Sequence, residues 1–172
     1  MAFGTGTHPT TQLCLRLIEA LVRAGEPMID IGCGSGVLAL AALKLGAGQA
    51  LGVDTDPDAL RVASENARRN GLAARLTLKE GSLDRILQQK AGLRQAPLVV
   101  ANILAPVIIR LLGDGLGRLL SPGGHMVLSG ILAEQVDLVV AAIEKGGISL
   151  VRQEQEGDWA ALVGQGPPFW QF

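Results

Sequence analysis

Asp30-Ile31-Gly32-Cys33-Gly34-Ser35-Gly36 joins an acid to three glycines at alternate positions, directly ahead of the apolar run Val37 to Leu45. Glycines let a backbone come close to a ligand, and a helix starting there presents unpaired N–H groups to it. The spacing points to a nucleotide-like ligand. A pyrophosphate-binding dinucleotide loop would need its third glycine where Val37 stands, so that ligand fits poorly. A tight strand-to-helix turn with no ligand is the plain alternative, and two further polar residues weigh against it. Asp54 closes the next apolar run, where a carboxylate can accept both hydroxyls of a ribose, and Asn102 closes a later one. Asp30 either anchors the glycine turn through backbone N–H groups or faces a cationic ligand. Ser82, after Gly81, is placed to reach the edge of a base, although Gly-Ser is also an ordinary helix start.

These residues share one edge only if the elements between them alternate as strand and helix. Short β-branched or apolar runs do alternate with longer helical segments, as in a parallel sheet covered by helices on both faces. Leu13, Leu17 and Leu21, with Cys14 and Ile18, predict an amphipathic helix over Thr10 to Ala24, with Pro9 suited to its first turn. Met28 to Ile31 reads as the first strand. Val37 to Leu45 is a helix apolar on nearly every side, and so must be buried. Ala50 to Asp54 is the second strand; Asp56 then caps a helix with Pro57 at its first position, ending at Asn70-Gly71. Arg75 to Glu80 is the third strand, Leu83 to Lys90 a short helix, and Leu98 to Ala101 the fourth strand. Pro106 to Leu120 is helical by pattern, but Gly113, Gly115 and Gly117 each weaken it by about 1 kcal/mol and predict a bend or early end. Pro122-Gly123-Gly124 turns into the strand His125 to Ser129, and a helix follows from Ala133 to Lys145. Ile148 to Gln153 and Trp159 to Val163 close the chain as an antiparallel pair.

Composition narrows the rest. At 172 residues, 48% apolar, the chain is the size of one domain with one sizeable core. With 15 basic and 16 acidic residues the net charge is -1, which offers no basic field for a phosphate backbone. Aromatics are 3% and tyrosine is absent, so a base-stacking platform for single strands is not expected either. Cys14 and Cys33 are too few for a disulfide framework, which suits a reducing cytoplasm. Neither they nor His8 and His125 show metal-ligand spacing, and no metal is assigned. No stretch of 18 residues escapes a charge, a glycine turn or a proline, so no membrane partner is expected.

The glycine spacing resembles motif I of S-adenosylmethionine-dependent methyltransferases. More specific runs narrow the resemblance: Phe3-Gly4-Thr5-Gly6-Thr7-His8-Pro9-Thr10-Thr11, Gly52-Val53-Asp54-Thr55-Asp56-Pro57, Asn102-Ile103-Leu104-Ala105 and Leu128-Ser129-Gly130-Ile131-Leu132. Together with the glycine loop they resemble the PrmA family, bacterial methyltransferases of ribosomal protein L11, over essentially the whole chain. The resemblance implies a Rossmann-like, doubly wound α/β sheet of seven strands, mostly parallel, with the last strand inserted antiparallel. It implies S-adenosylmethionine contacts from Thr11, Gly32, Asp54 and Asn102, under a lid made by residues 3–7; Thr5, Asp30, Gly34 and Ser82 complete the expected cofactor-binding set, although the family usually carries an acidic residue where Ser82 stands. It also implies an N-terminal recognition domain, so that residues 1–172 are expected to be the catalytic domain alone.

The implied chemistry is in-line methyl transfer to lysine side chains and the N-terminal amine of ribosomal protein L11. The Asn102 side chain and the Ile103 carbonyl are expected to orient the amine. A monomer acting in the cytoplasm, without direct contact to nucleic acid, completes the expectation. Other acceptors stand as alternatives: a glutamine amide, a small molecule or RNA. Enzymes of this fold that act on glutamine or adenine resemble one another in an Asn-Pro-Pro-Tyr run, and Asn102-Ile103-Leu104-Ala105 differs from it in favour of an amine. A non-enzymatic alternative is a binding module for the cofactor, inactive without its recognition domain.

Overall fold

The structure, a computed structural model, describes residues 6–169. Strands β1 (Pro27–Ile31), β2 (Gln49–Asp54), β3 (Leu76–Glu80), β4 (Ala96–Asn102), β5 (Leu120–Leu132), β6 (Ser149–Glu156) and β7 (Trp159–Gln165) form one sheet. Its order is β3-β2-β1-β4-β5-β7-β6. The pairs from β3 through β5 are parallel, and β7 runs antiparallel to both β5 and β6. The expected insertion of an antiparallel last strand is therefore what the chain builds.

Helices cover both faces, which is why the strands alternate between two buried sides rather than between core and water. Ile29, Ile31, Val53, Val99, Ala101 and Leu128 face α4 (Leu83–Leu87), α5 (Ala105–Gly113) and α6 (Val136–Lys145). Met28, Ala50, Leu98, Val100 and Val127 face α1 (Pro9–Leu21) and α2 (Val37–Lys44), with Ala67 of α3 (Pro57–Arg69) in the same cluster. The all-round apolar α2 is buried as its sequence demanded, with Leu38, Ala39, Leu40, Ala42 and Leu43 out of water.

Caps set the helix starts. Asp56 accepts from the Asp58 N–H at 2.9 Å with Pro57 behind it, and His8 Nδ1 accepts from the Thr10 N–H at 3.3 Å ahead of Pro9. Ends differ from expectation where a cap or a glycine decides them. The first helix stops at Leu21, because Val22 is already extended, and α4 stops at Leu87 rather than Lys90. The glycine-rich stretch does break as predicted: α5 ends at Gly113, and a short 3-10 turn over Leu116–Leu119 leads into β5. Pro122-Gly123-Gly124 proves to be a bulge inside a longer strand rather than a turn before one. Ala96 pairs with Leu120 and Leu98 with His125, so β5 carries extra residues between two paired positions.

Candidate functional site

Strand order reverses between β1 and β4, the neighbours to either side of the switch being β2 and β5. Helical connections after β1 and β4 leave on opposite faces, so the carboxyl ends of these strands open a crevice. The glycine loop folds over its β2 side. The N–H groups of Gly32 and Cys33 both donate to the Val53 carbonyl, at 2.9 and 3.0 Å, and the Asn66 amide donates to the Ser35 carbonyl at 3.0 Å. Asp54 then ties the two strand ends together: Oδ2 accepts from the Gly34 N–H at 2.8 Å and Oδ1 from the Asp56 N–H at 2.9 Å. Each oxygen keeps a lone pair beyond these bonds, so the carboxylate is fixed in place and still able to accept a hydroxyl.

The β4 side depends on two glycines. A Cβ on Gly32 would stand 2.6 Å from Ile103 Cγ2, and one on Gly130 would stand 2.2 Å from the Ile103 carbonyl oxygen. Both have positive φ, +71° and +85°. The strand end Asn102-Ile103 is thus wedged between two backbones with no side chain to push it away, and the Ile103 N–H is held by the Ser129 carbonyl at 3.1 Å. Ser129 is itself fixed, its buried hydroxyl donating to the Ala160 carbonyl at 3.0 Å.

The resulting crevice, about 550 Å³, gathers Gly32, Gly34, Asp54, Ser82, Asn102 and Ile103 from the sequence-predicted set. That volume lies in the range of sites for cofactor-sized ligands. Ser82 lines it and makes no side-chain cap on α4, so its hydroxyl is not used as the ordinary helix start would use it. Two predicted residues lie behind the wall rather than on it. Thr11 is buried in the first turn of α1. Asp30 is 1% exposed, and one of its oxygens, Oδ2, has no hydrogen-bond partner among the described residues. Burial first, and Asp54 second, push its carboxyl up to about 7 against the opposing hydrogen bond from the Ala39 N–H. It therefore braces the first turn of α2 rather than the glycine turn. Thr5, and the lid except for Gly6 and Thr7, lie outside the described residues.

Sequence reasoning missed several residues of the crevice wall, Gly130 among them. Leu104, Val107 and Arg110 recur every third position from the N-cap of α5, so one stripe of that helix runs along the crevice. Trp159 begins β7, and an antiparallel strand begins where its parallel neighbours end, so the direction of that strand was the signal that could have placed it at this edge. Its indole meets the His8 imidazole edge-on, centroids 5.1 Å apart and planes at 68°. Thiols take no part. Burial pushes Cys14 up to about 12, and Cys33 is likewise raised by burial behind the loop.

Among the described lining residues, Asp54 and Arg110 are the ones that carry charge. A carboxylate locked at the second strand end, an open glycine approach and a mostly apolar hollow suit a neutral nucleoside with an attached group, not a polyphosphate. Asn102, presented at the fourth strand end on the α1 face with Val100, adds a neutral donor and acceptor at the opposite side.

Sheet order, inserted antiparallel strand and crevice together define the Rossmann-like methyltransferase class. A solved RNA methyltransferase from Salinibacter ruber, in complex with S-adenosyl-L-homocysteine, shares the fold at a TM-score of 0.71 and 20% identity, over 98% of this chain and 97% of that one. Within the class, the family model for ribosomal protein L11 methyltransferase (PrmA) matches residues 1–167, and the chain belongs to that family. It is 49% identical to the ribosomal protein L11 methyltransferase of Pelotomaculum thermopropionicum over 163 residues, which is 95% of this chain and 51% of that protein. To the Chloroflexus aurantiacus protein of the same name it is 42% identical, over 97% of this chain and 56% of that one. A crystal structure of the ribosomal protein L11 methylase from Lactobacillus delbrueckii subsp. bulgaricus superposes with a TM-score of 0.83 at 31% identity, covering 94% of this chain and 81% of that chain. The chain spans about half the length of the curated relatives named above.

Proposed function

We propose that the chain binds S-adenosylmethionine across the carboxyl edge of its sheet and transfers the methyl group to amines of ribosomal protein L11, at lysine side chains and the N-terminus. The observation that carries this is the meeting, in one crevice of a PrmA-family chain, of an anchored Asp54, the glycine approach at Gly32 and Gly34, and Asn102. Asp54 takes the ribose hydroxyls, Gly32 and Gly34 admit the amino-acid end, and Ser82 meets the adenine. Asp30, with its spare buried oxygen, acts on that end from behind the loop, and Thr5 and Thr11 add cofactor contacts.

When bound, the cofactor supplies a methyl group already activated on a sulfonium; the chain's residues must present the amine. Lysine has a pKa of about 10.4 in water and must arrive neutral. Among the described lining residues no histidine or lysine stands ready to take its proton. Desolvation between Ile31, Leu104 and Trp159 lowers the amine's pKa on entry. The Asn102 side chain and the Ile103 carbonyl then hold it in line, and positioning of this kind can supply roughly 7 to 11 kcal/mol.

Residues 1–172 act in this reading as a single methyltransferase domain, monomeric and cytoplasmic, with no nucleic-acid partner. No helix among the described residues is long and apolar enough to cross a membrane. Incubation with labelled S-adenosylmethionine and ribosomal protein L11 tests the activity. Tight cofactor binding without transfer would favour the binding-module reading, and transfer to RNA or a glutamine amide would replace the acceptor. Asn102→Ala is expected to cut transfer about a hundredfold while changing S-adenosylhomocysteine affinity far less. Undiminished transfer would remove Asn102 from the mechanism.

A further inference from the structure

Arg110 stands where the reaction does not call for a cation. The stripe Leu104, Val107, Arg110 follows the crevice from the Asn102 end, and six residues of helix place Arg110 roughly 9 Å beyond Leu104. At that distal end it shares two cavities with Ser82: the crevice itself, and a side recess of about 270 Å³ that Asp84 and Asp114 also line. Two carboxylates are therefore at hand, yet among the described residues Arg110 makes no ion pair with either. Its guanidinium is uncommitted, on the wall of a site meant for a cofactor whose sulfonium and ammonium are positive.

Arg110 is exposed, so water carries its charge, and a ligand laid beside it fits best with a group there that is neutral and electron-rich, or anionic. With the ribose held at Asp54, the base must lie beyond it toward Gly81 and Ser82, which is the end Arg110 occupies. The acceptor, an amine, enters at the other end and brings no anion to it. A guanidinium is planar and weakly hydrated and stacks flat on an aromatic face, whereas an ammonium offers that face only a strongly hydrated point charge.

We propose that Arg110 lays its guanidinium on the face of the cofactor's adenine, clamping the base against the β3 end and setting preference for it. This rests on the crevice being an S-adenosylmethionine site. It assigns the α5 stripe a division of labour, with the Leu104 end toward the amine and the Arg110 end toward the base.

Calorimetry on the full chain, with S-adenosylhomocysteine and with adenosine as probes, tests the assignment. Arg110→Ala is expected to weaken both ligands by the same factor, about two- to fivefold, since both carry the base. Arg110→Lys, which keeps the charge and loses the plane, is expected to recover little of that loss, and the perturbation of adenine absorbance expected on binding to the wild-type chain should vanish in both variants. Unchanged adenosine affinity in Arg110→Ala, or full recovery by Arg110→Lys, would overturn the stacking role. Failure of the wild-type chain to bind S-adenosylhomocysteine would overturn the cofactor assignment, and with it this inference.

Discussion

Asp54 and Asp30 are both carboxylates at strand ends, and their surroundings divide the work between them. Asp54 is half-buried, takes two backbone N–H groups and presents its oxygens to the crevice. Asp30 lies beneath the loop, fully buried, with one bond from Ala39 and a bare second oxygen. The raised pKa of Asp30 is a stability statement. An unfolded chain ionises this carboxyl near the ordinary value of about 3.9, whereas the folded chain holds its proton up to about 7. Stability is therefore highest below the unfolded value and falls as pH rises through that window. Asp30→Asn does not titrate, so its stability relative to the wild-type chain should rise between about pH 4 and 7, by at most about 4 kcal/mol. Urea denaturation of both proteins across that range checks it; a constant difference would mean that Asp30 is ionised in the native state.

At the scale of elements, the site is a junction of strand ends, and its tolerances are those of backbone against backbone. Ile103 lies between Gly32 and Gly130, where an added methyl would fall 2.6 Å from its side chain or 2.2 Å from its carbonyl oxygen. Gly130→Ala meets both a left-handed backbone, at φ +85°, and peptide atoms that cannot rotate away. It is expected to cost roughly 2–4 kcal/mol in stability and, by pushing the β4 end outward, to weaken S-adenosylhomocysteine binding as well. Denaturation and calorimetry on the same variant separate the two effects. A variant as stable as the wild-type chain would show that β4 and β5 can part without strain. The breaks in the helical pattern have the same local origin: Gly113 and Gly115 end α5 before it would run past the sheet, and the following 3-10 turn returns the chain to β5.

For the whole molecule, two apolar layers share one sheet, so the crevice is held by both. The α1 and α2 layer carries the glycine loop and Asn102, while the α4 to α6 layer carries Arg110. A ligand across the switch point bridges them and should stabilise the fold as a unit. At about 100 times its dissociation constant, S-adenosylhomocysteine is expected to add about 2.7 kcal/mol and raise Tm by about 5–10 °C in a single transition. Two transitions, or a Tm that does not move, would show that the layers unfold apart or that the crevice is not the binding site.

Local patterns determined much of this by themselves. Alternating apolar runs fixed the α/β class, the acid-glycine loop marked the first strand end, and Asp56-Pro57 marked a helix start, because propensity and capping act over a few residues. Five expected contacts, Gly32, Gly34, Asp54, Ser82 and Asn102, were legible as polar or glycine punctuation after strands, and they do meet in one crevice. Arg110, Trp159 and Gly130 were not legible. Arg110 looks like any exposed helical cation, Trp159 like any strand aromatic, and Gly130 like a lapse in a strand. Their roles follow from which strands are neighbours, and that order is set by burial of both sheet faces over separations of tens of residues. Asp30 shows the same division from the other side: its place in the loop was written in the sequence, but only the layers packed over it decided that it would lie behind the wall with an oxygen unpaired.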